Sequence, residues 1–215
     1  MDWHFIEANL AVYLLQYPAE HENLQPMEIF LQQNPGDSRI ERGNFQGHLT
    51  ASAFILDATS EHLLMIHHKR LDRWLQPGGH IDPHDTSLHA AAIREASEET
   101  GLEKEVLSPI ETSSQLQLAR LPSRSPRTPQ VTSELSPFVP LDLDSHQIPH
   151  STKRNEPSHF HHDWRFLFRT QSSAPLRPQV SEVQAVAWIP IEKVQHFPGF
   201  DRVVTKIRNV IACSR

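Results

Sequence analysis

The stretch GHIDPHDTSLHAAAIREASEETGL, which runs from Gly79 to Leu102, decides the fold prediction. Its second half predicts a helix over Thr86 to Thr100, with Asp85 or Thr86 as N-cap and Gly101 as C-cap, because these residue types mark helix starts and stops. One flank of this helix is apolar and small enough to pack closely on a sheet. That flank consists of Leu88, Ala92, Ile93 and Ala96.

The other flank of the helix carries three carboxylates. Each residue advances a helix by about 100°, so Glu95, Glu98 and Glu99 lie within one narrow arc. Like charges at this spacing repel one another on an isolated helix, whereas a hard cation with oxygen ligands turns that repulsion into attraction. Arg94 lies one turn before Glu98, where a guanidinium can hold a carboxylate in place.

The same stretch resembles the Nudix box, G-x5-E-x7-R-E-U-x-E-E-x-G-U, in which U is apolar. The segment from Arg94 to Leu102 matches the box at every fixed position. There are two departures in the first half. Asp85 stands where the family has Glu, and eight residues instead of seven separate it from Arg94. We expect the extra residue to be absorbed in the loop or in the first helical turn.

The resemblance implies a loop-helix-loop that binds Mg²⁺ or Mn²⁺ and cleaves a diphosphate linked to a nucleoside or a similar group. Carried over position by position, it makes Glu95, Glu98 and Glu99 metal ligands, with one of them deprotonating water. Gly79 would contribute its backbone carbonyl, and Arg94 would orient the glutamates. Divalent ions neutralise diphosphate oxygens and lower the pKa of bound water, so the implied chemistry is coherent.

The order of elements predicts the α+β class with a mixed sheet. The resemblance implies that 46–215 form a Nudix-like α/β/α sandwich, which follows an N-terminal helical appendage over 1–45. The loop over 120–137, rich in proline and serine, is predicted to be mobile. The predicted helices are 3–17, 27–33 and 202–212, with a tight loop over 74–80. The predicted strands are 49–57 and 62–69, which form a hairpin, followed by 106–118, 138–148, 163–170 and 183–190.

Composition narrows the class of protein. The chain has 215 residues and a formal charge of -6, which argues against a nucleic-acid polymer as partner. Its first residues lack the basic start of a secretory signal, and no stretch has the roughly 18 consecutive apolar residues of a membrane span. Its one cysteine, Cys213, excludes an intrachain disulfide. We therefore expect a soluble, cytoplasmic protein, and the resemblance implies that its partner is a small nucleotide.

Four polar side chains alternate in the sequence around the start of the strand predicted over 163–170, and on a strand they would all point to one side: His159, His161, Asp163 and Arg165. Our first interpretation is substrate binding, with Arg165 as the anion clamp. A solvated polar face without a ligand is the second. The third is a second metal site, in which Asp163 or Asp144 joins the two histidines. His80, next to Gly79, is a further candidate for substrate binding.

The leading functional prediction is a metal-dependent pyrophosphohydrolase acting on a nucleoside diphosphate derivative or a nucleoside triphosphate. The alternative is a non-catalytic nucleotide-binding or sensing module with the same fold. A prenyl diphosphate isomerase would need an activated cysteine, and Cys213 lies in the C-terminal tail. Three roles are open for the N-terminal helices: they cover a sheet edge, form a homodimer interface or help to select substrate.

Overall fold

The computed structural model describes residues 1–110, 139–178 and 181–213, so the loop predicted over 120–137 lies outside the described residues. The helices are α1 Trp3–Gln16, α2 His21–Gln33, α3 Leu88–Thr100, α4 Ile191–Val194 and α5 Asp201–Cys213. The strands are β1 Gly47–Leu56, β2 His62–His68, β3 Arg73–Leu75, β4 Gly78–His80, β5 Ser108–Pro109, β6 Asp142–Ile148, β7 His159–Arg169 and β8 Val183–Pro190. Short 3-10 helices span Pro18–Glu20, Gly36–Arg39, Lys104–Val106 and Thr152–Arg154.

The described strands form one mixed sheet, which confirms the α+β prediction. The order is β3-β2-β1-β7-β5, with β4 on β1, β6 on β7 and β8 on β2. Strands β1 and β7 run parallel along the whole of β1, and the other pairs are antiparallel. The predicted hairpin pairs only at its closed end, through Leu56 and Leu63. On its other edge β2 pairs with β8 from His62 to His68, and residues of both strands pack with the apolar face of α5.

Side-chain alternation along β1 produces the α/β/α layering that we predicted. Leu49 and Ala51 are buried in one apolar cluster with the small residues of α3, whereas Phe54 and Leu56 are buried in a second cluster with α5. Successive strand residues point to opposite faces, so both faces of β1 need an apolar cover. Trp164 of β7 is 1% exposed and belongs to the first cluster.

The helix α3 begins later than predicted. Its N-cap is Ser87, whose side chain accepts a hydrogen bond from the amide of Ala90 at 3.1 Å. Asp85 does not cap the helix, because its carboxylate accepts hydrogen bonds from Arg94 and from the amide of Asp82. Asp85 and Thr86 thus lie ahead of the helix and its N-cap.

The C-terminal end of α3 requires glycine. Gly101 has φ of +76°, and its amide donates to the carbonyl of Ser97. A Cβ atom on Gly101 would lie 2.7 Å from the Cβ of Arg177 and 2.9 Å from its carbonyl oxygen. The Gly101→Ala variant is therefore expected to lower the free energy of unfolding by about 1–3 kcal/mol, measured by urea titration. Gly43→Ala, where a Cβ would meet nothing within 4 Å, is the control; equal stability of the two variants would contradict this account.

Two further local predictions were wrong. Helix α2 begins at His21, and Pro26 lies inside it instead of before it. Burial of Leu24 and Met27 in the core offsets the lost backbone hydrogen bond that proline imposes. The tight loop predicted over 74–80 contains β3 and β4, because pairing with β2 and β1 gives the backbone hydrogen-bond partners that the local sequence does not reveal.

The N-terminal helices share a core with the sheet. Ile6, Leu10 and Met27 belong to the same apolar cluster as Leu49 and Ala51. The division at residue 45 stays a prediction. None of the helices within the described ranges is long and apolar enough to cross a membrane.

Candidate active site

Glu99 is the most deeply buried of the three glutamates on α3. It is 3% exposed, and its carboxylate accepts a hydrogen bond from the amide of Gly78 at 2.8 Å. Burial raises the pKa of Glu99 to about 8, against the effect of this hydrogen bond, and repulsion from Glu95 adds to the rise. A buried carboxylate in this state needs a positive partner to ionise.

Arg94 positions the carboxylates of the loop and the helix. Its guanidinium lies 2.8 Å from Asp85, 2.9 Å from Glu95 and 3.2 Å from Glu98. It also donates to the carbonyl oxygen of His80 at 2.9 Å. The hydrogen bonds with Asp85 contribute most to a raised pKa of Arg94. Asp85, shorter than the glutamate of the Nudix box, therefore still reaches this arginine across the longer spacing.

Glu95 lies directly against the backbone of β4. A Cβ atom on Gly79 would be 2.8–3.0 Å from the atoms of the Glu95 carboxylate, so a side chain at this position would displace that carboxylate. Burial raises the pKa of Glu95, although Arg94 lowers it. The glycine at position 79 thus allows a carboxylate and a backbone strand to approach closely.

The donor set fits a hard divalent cation. Glu95 and Glu99 are carboxylates that burial makes difficult to ionise, and Glu98, with its side chain 49% exposed, extends the set towards solvent. Oxygen ligands of this kind suit Mg²⁺ and Mn²⁺. A cation would offset the repulsion among the three charges, which neither Arg94 nor the Gly78 amide removes.

Replacing Arg94 by lysine tests this positioning role. We expect Arg94→Lys to reduce turnover by about 10- to 100-fold and to raise the Mg²⁺ concentration needed for half-maximal activity, since an ammonium cannot span four acceptors. Activity assays across a Mg²⁺ series measure both effects. The exposed Arg70→Lys is the matched control. A variant with an unaltered Mg²⁺ dependence would contradict the assignment.

Arg165, the expected anion clamp, is held by carboxylates. Its guanidinium donates to Asp163 at 2.9 Å, to Asp142 at 3.0 Å and to Asp144 at 2.9 Å. Asp163 also accepts hydrogen bonds from Ser52. Asp163 and Arg165, at the inner end of the predicted face, therefore stabilise the sheet, because their charges already neutralise each other.

The outer end of that face is a cluster of histidines. The ring centroids of His159 and His161 are 5.3 Å apart, and those of His80 and His161 are 5.1 Å apart. The structure thus brings together the three histidines that the sequence singled out as substrate-binding candidates. The Nδ1 atom of His159 lies 2.8 Å from the carbonyl oxygen of Pro157, which fixes the ring.

Sequence reasoning missed His48, which lies at the centre of this cluster. Its ring centroid is 4.6 Å from that of His161 and 4.9 Å from that of His80. Burial, followed by repulsion from His159, lowers the pKa of His48 to about 4, and the backbone of Asn44 offsets only part of this. Burial and the neighbouring rings lower the pKa of His161 to about 2. Both rings are therefore neutral at pH 7.

No local signal marks His48, because its neighbours come from distant strands. Among the described residues, one set of three or more His, Cys, Asp or Glu side chains has all its ligand atoms within 4.8 Å of one another: His48, His80 and His161. The three glutamates of α3 do not meet that criterion. The chain therefore has a carboxylate group on α3 and a separate histidine group on the sheet.

Comparisons with known proteins agree with this architecture. A NUDIX domain model matches residues 47–207 of the chain. The search of curated proteins gave no match. Among solved structures, the Ap4A hydrolase binary complex of C. elegans is 16% identical, with a TM-score of 0.50 over 77% of this chain and 98% of that chain.

A second solved structure has the same fold. The dihydroneopterin triphosphate pyrophosphohydrolase of E. coli is 15% identical, with a TM-score of 0.50 over 76% of this chain and 95% of that chain. At these sequence identities the likeness to the two solved structures shows a shared fold alone. The family model covers more than half of the sequence, including the whole of the loop and helix described above. The chain belongs to the Nudix hydrolase family.

Proposed function

We propose that this protein is a metal-dependent pyrophosphohydrolase that cleaves a diphosphate bond in a nucleoside diphosphate derivative or a nucleoside triphosphate. The observation that carries the proposal is the buried carboxylate of Glu99 on the amide of Gly78, beside the Glu95 carboxylate that packs on Gly79. Burying two carboxylates so close together is unfavourable unless a cation binds them, and Arg94 forms an ion pair with Glu95 but not, among the described contacts, with Glu99. A protein that only binds nucleotides does not need this arrangement.

We assign Gly79, Glu95, Glu98 and Glu99 as the residues that would hold Mg²⁺ or Mn²⁺. The bound ion would neutralise the phosphate oxygens and lower the pKa of water. Arg94 keeps Glu95 and Glu98 in place through its two hydrogen bonds. One of the glutamates accepts the proton of the attacking water. The water oxygen forms a bond to phosphorus while the bond from phosphorus to the bridging oxygen breaks.

The histidine face adjoins this group through the chain, since His80 follows Gly79. We propose that His80, His159 and His161 face the part of the substrate beyond the broken bond. Asp163 and Arg165 support this face from within the sheet. The solved neighbours named above act on Ap4A and on dihydroneopterin triphosphate according to their names, and both compounds belong to the proposed class of phosphoric anhydrides.

Product analysis over a substrate panel tests the proposed function. The panel contains nucleoside triphosphates, sugar nucleotides, dinucleoside polyphosphates and dinucleotide cofactors, each with Mg²⁺ and then with Mn²⁺. Reaction in ¹⁸O-labelled water, followed by mass spectrometry, shows which phosphorus is attacked. Glu99→Gln is the variant expected to be inactive. His150→Ala, at an exposed position, shows whether expression and purification of a variant by themselves change the activity.

The result that supports the proposal is turnover that Glu99→Gln abolishes and His150→Ala retains. Tight binding of a panel member without turnover in either metal would overturn it in favour of a nucleotide-sensing module. Turnover that is equal in wild type and Glu99→Gln would show that the glutamates of α3 are not the metal ligands.

A further inference from the structure

The register of three neighbouring strands brings three histidines together. His48 of β1 is the direct partner of His161 of β7. His80 of β4 pairs with Thr50, which is two residues after His48 and therefore on the same face of β1. The three ring centroids are 4.6–5.1 Å apart, and one ligand atom from each ring lies within 4.8 Å of the other two.

His48 is the least exposed member of the cluster. It is 1% exposed, and within the described part of the chain neither of its ring nitrogens meets the geometry of a hydrogen bond, although the backbone of Asn44 is near enough to favour the protonated ring. Buried polar side chains nearly always have a well-formed hydrogen bond, so an exception requires an explanation. A metal ion between the three rings would give a ring nitrogen of His48 a direct partner.

We propose that His48, His80 and His161 form a second metal site, which binds a borderline divalent ion such as Zn²⁺. Imidazole nitrogens suit zinc, whereas Mg²⁺ takes oxygen ligands. In a tetrahedral zinc site the nitrogens lie about 3.4 Å apart. The rings therefore move towards one another by roughly 1 Å when the ion binds, a displacement that side-chain rotation supplies.

This site is distinct from the carboxylate group on α3. Gly79 turns the side that would bear a Cβ towards Glu95, and successive residues of a strand point to opposite faces. The ring of His80 therefore leaves β4 on the side away from Glu95. The two groups also differ in chemistry, because one offers oxygen ligands and the other offers nitrogen ligands.

Three protein ligands leave a fourth coordination position free, as in sites where zinc also binds water or substrate. That position takes an oxygen from the part of the substrate beyond the broken bond or, without substrate, a water molecule. This role rests on the proposed function, whereas the metal site itself does not. Zinc binding is therefore measured without substrate, so failure of one proposal does not affect the test of the other.

The test uses the full chain after metal has been removed with a chelator and the chelator has been dialysed away. Zinc affinity and stoichiometry are measured by calorimetry and elemental analysis for wild type, His161→Gln, His80→Gln and Glu99→Gln. His150→Ala is the matched control, because His150 is exposed and outside the cluster. Thermal unfolding without metal shows whether each variant is folded, and two ligand variants are used so that one misfolded protein does not decide the result.

The expected result is one tightly bound zinc ion per chain in wild type, His150→Ala and Glu99→Gln. Loss of a partner residue outside the coordination sphere typically costs 10- to 100-fold in metal affinity, so we expect His161→Gln and His80→Gln to lose at least about 100-fold. Co²⁺ should give the intense visible absorption of a four-coordinate site, and this should disappear in the same two variants. Unchanged zinc affinity in both histidine variants, or loss of zinc from Glu99→Gln instead, would overturn the proposal.

Discussion

Replacing Glu99 by glutamine is expected to reduce turnover more than about 100-fold, while the protein stays folded. Glutamine retains the shape of the side chain and a carbonyl oxygen that can accept the hydrogen bond from the Gly78 amide. It removes the negative charge that a divalent cation needs from a ligand. Loss of a residue that only supports a ligand costs 10- to 100-fold, so loss of the ligand itself costs more. The measurement is steady-state turnover in saturating Mg²⁺.

The same variant is expected to be more stable than wild type when metal is absent. In the folded protein the pKa of Glu99 is raised from its ordinary value of 4.5 to about 8 by burial. Between these two values the folded state keeps a proton that the unfolded state has lost, so stability falls as the pH rises through this window. Above it, wild type carries a penalty of about 5 kcal/mol that glutamine avoids.

Urea unfolding in the presence of a chelator at pH 5 and at pH 8.5 measures this difference. We expect Glu99→Gln and wild type to be similar at pH 5 and to diverge at pH 8.5, and saturating Mg²⁺ should stabilise wild type alone. Glu98→Gln is the matched control, because that carboxylate is half-exposed. Lower stability of Glu99→Gln at pH 8.5 without metal would mean that Glu99 is not held at an unfavourable charge.

Replacing Asp142 by asparagine is expected to reduce the free energy of unfolding by about 3–5 kcal/mol, because it leaves buried cations without their shared anion. The Asp142 side chain is fully buried and lies 2.7 Å from Lys206, 3.0 Å from Arg165 and 3.2 Å from Arg202. It also accepts a hydrogen bond from Tyr13 at 3.1 Å. The group therefore joins the N-terminal helix α1 to β7 and α5.

Acid unfolding should also reveal how much the buried charges around Asp142 contribute to stability. Burial alone would raise the pKa of Asp142, but Arg165, Lys206 and Arg202 hold it below its ordinary value of 3.8. A lowered pKa stabilises the folded state at pH values above 3.8, and this stabilisation is lost as the pH falls through the folded value. Wild type should lose stability below about pH 4, and Asp142→Asn should lose less over that range.

Urea titration at pH 7 and at pH 3 measures both effects of Asp142→Asn. The exposed Asp37→Asn is the control, with an expected change within about 0.5 kcal/mol. If Asp142→Asn is as stable as that control at pH 7, the buried group does not contribute to holding the N-terminal helices. Each of the two variants removes one carboxylate, so the comparison tests whether the position of that carboxylate, and not the net charge, determines the change in stability.

The sequence predicted the local parts of the carboxylate group well. The spacing of Glu95, Glu98 and Glu99, the stop at Gly101 and the small apolar flank of α3 all depend on residues within a few positions of each other. A helix repeats every 3.6 residues, so such a pattern specifies a common face before any tertiary contact forms. The family resemblance, the fold class and the orienting position of Arg94 follow from this one segment.

Residues far apart in the chain decided the rest. Arg165 was expected to bind an anion, but β6 places Asp142 and Asp144 against it. His48 showed no pattern of its own, and the parallel register of β1 and β7 makes it the partner of His161. In that register the hydroxyl of Thr50 donates a hydrogen bond to the carboxylate of Asp163, which lies 113 residues later in the chain. Strand register depends on which apolar faces the whole fold buries, and this information is absent from the spacing of residues along one strand.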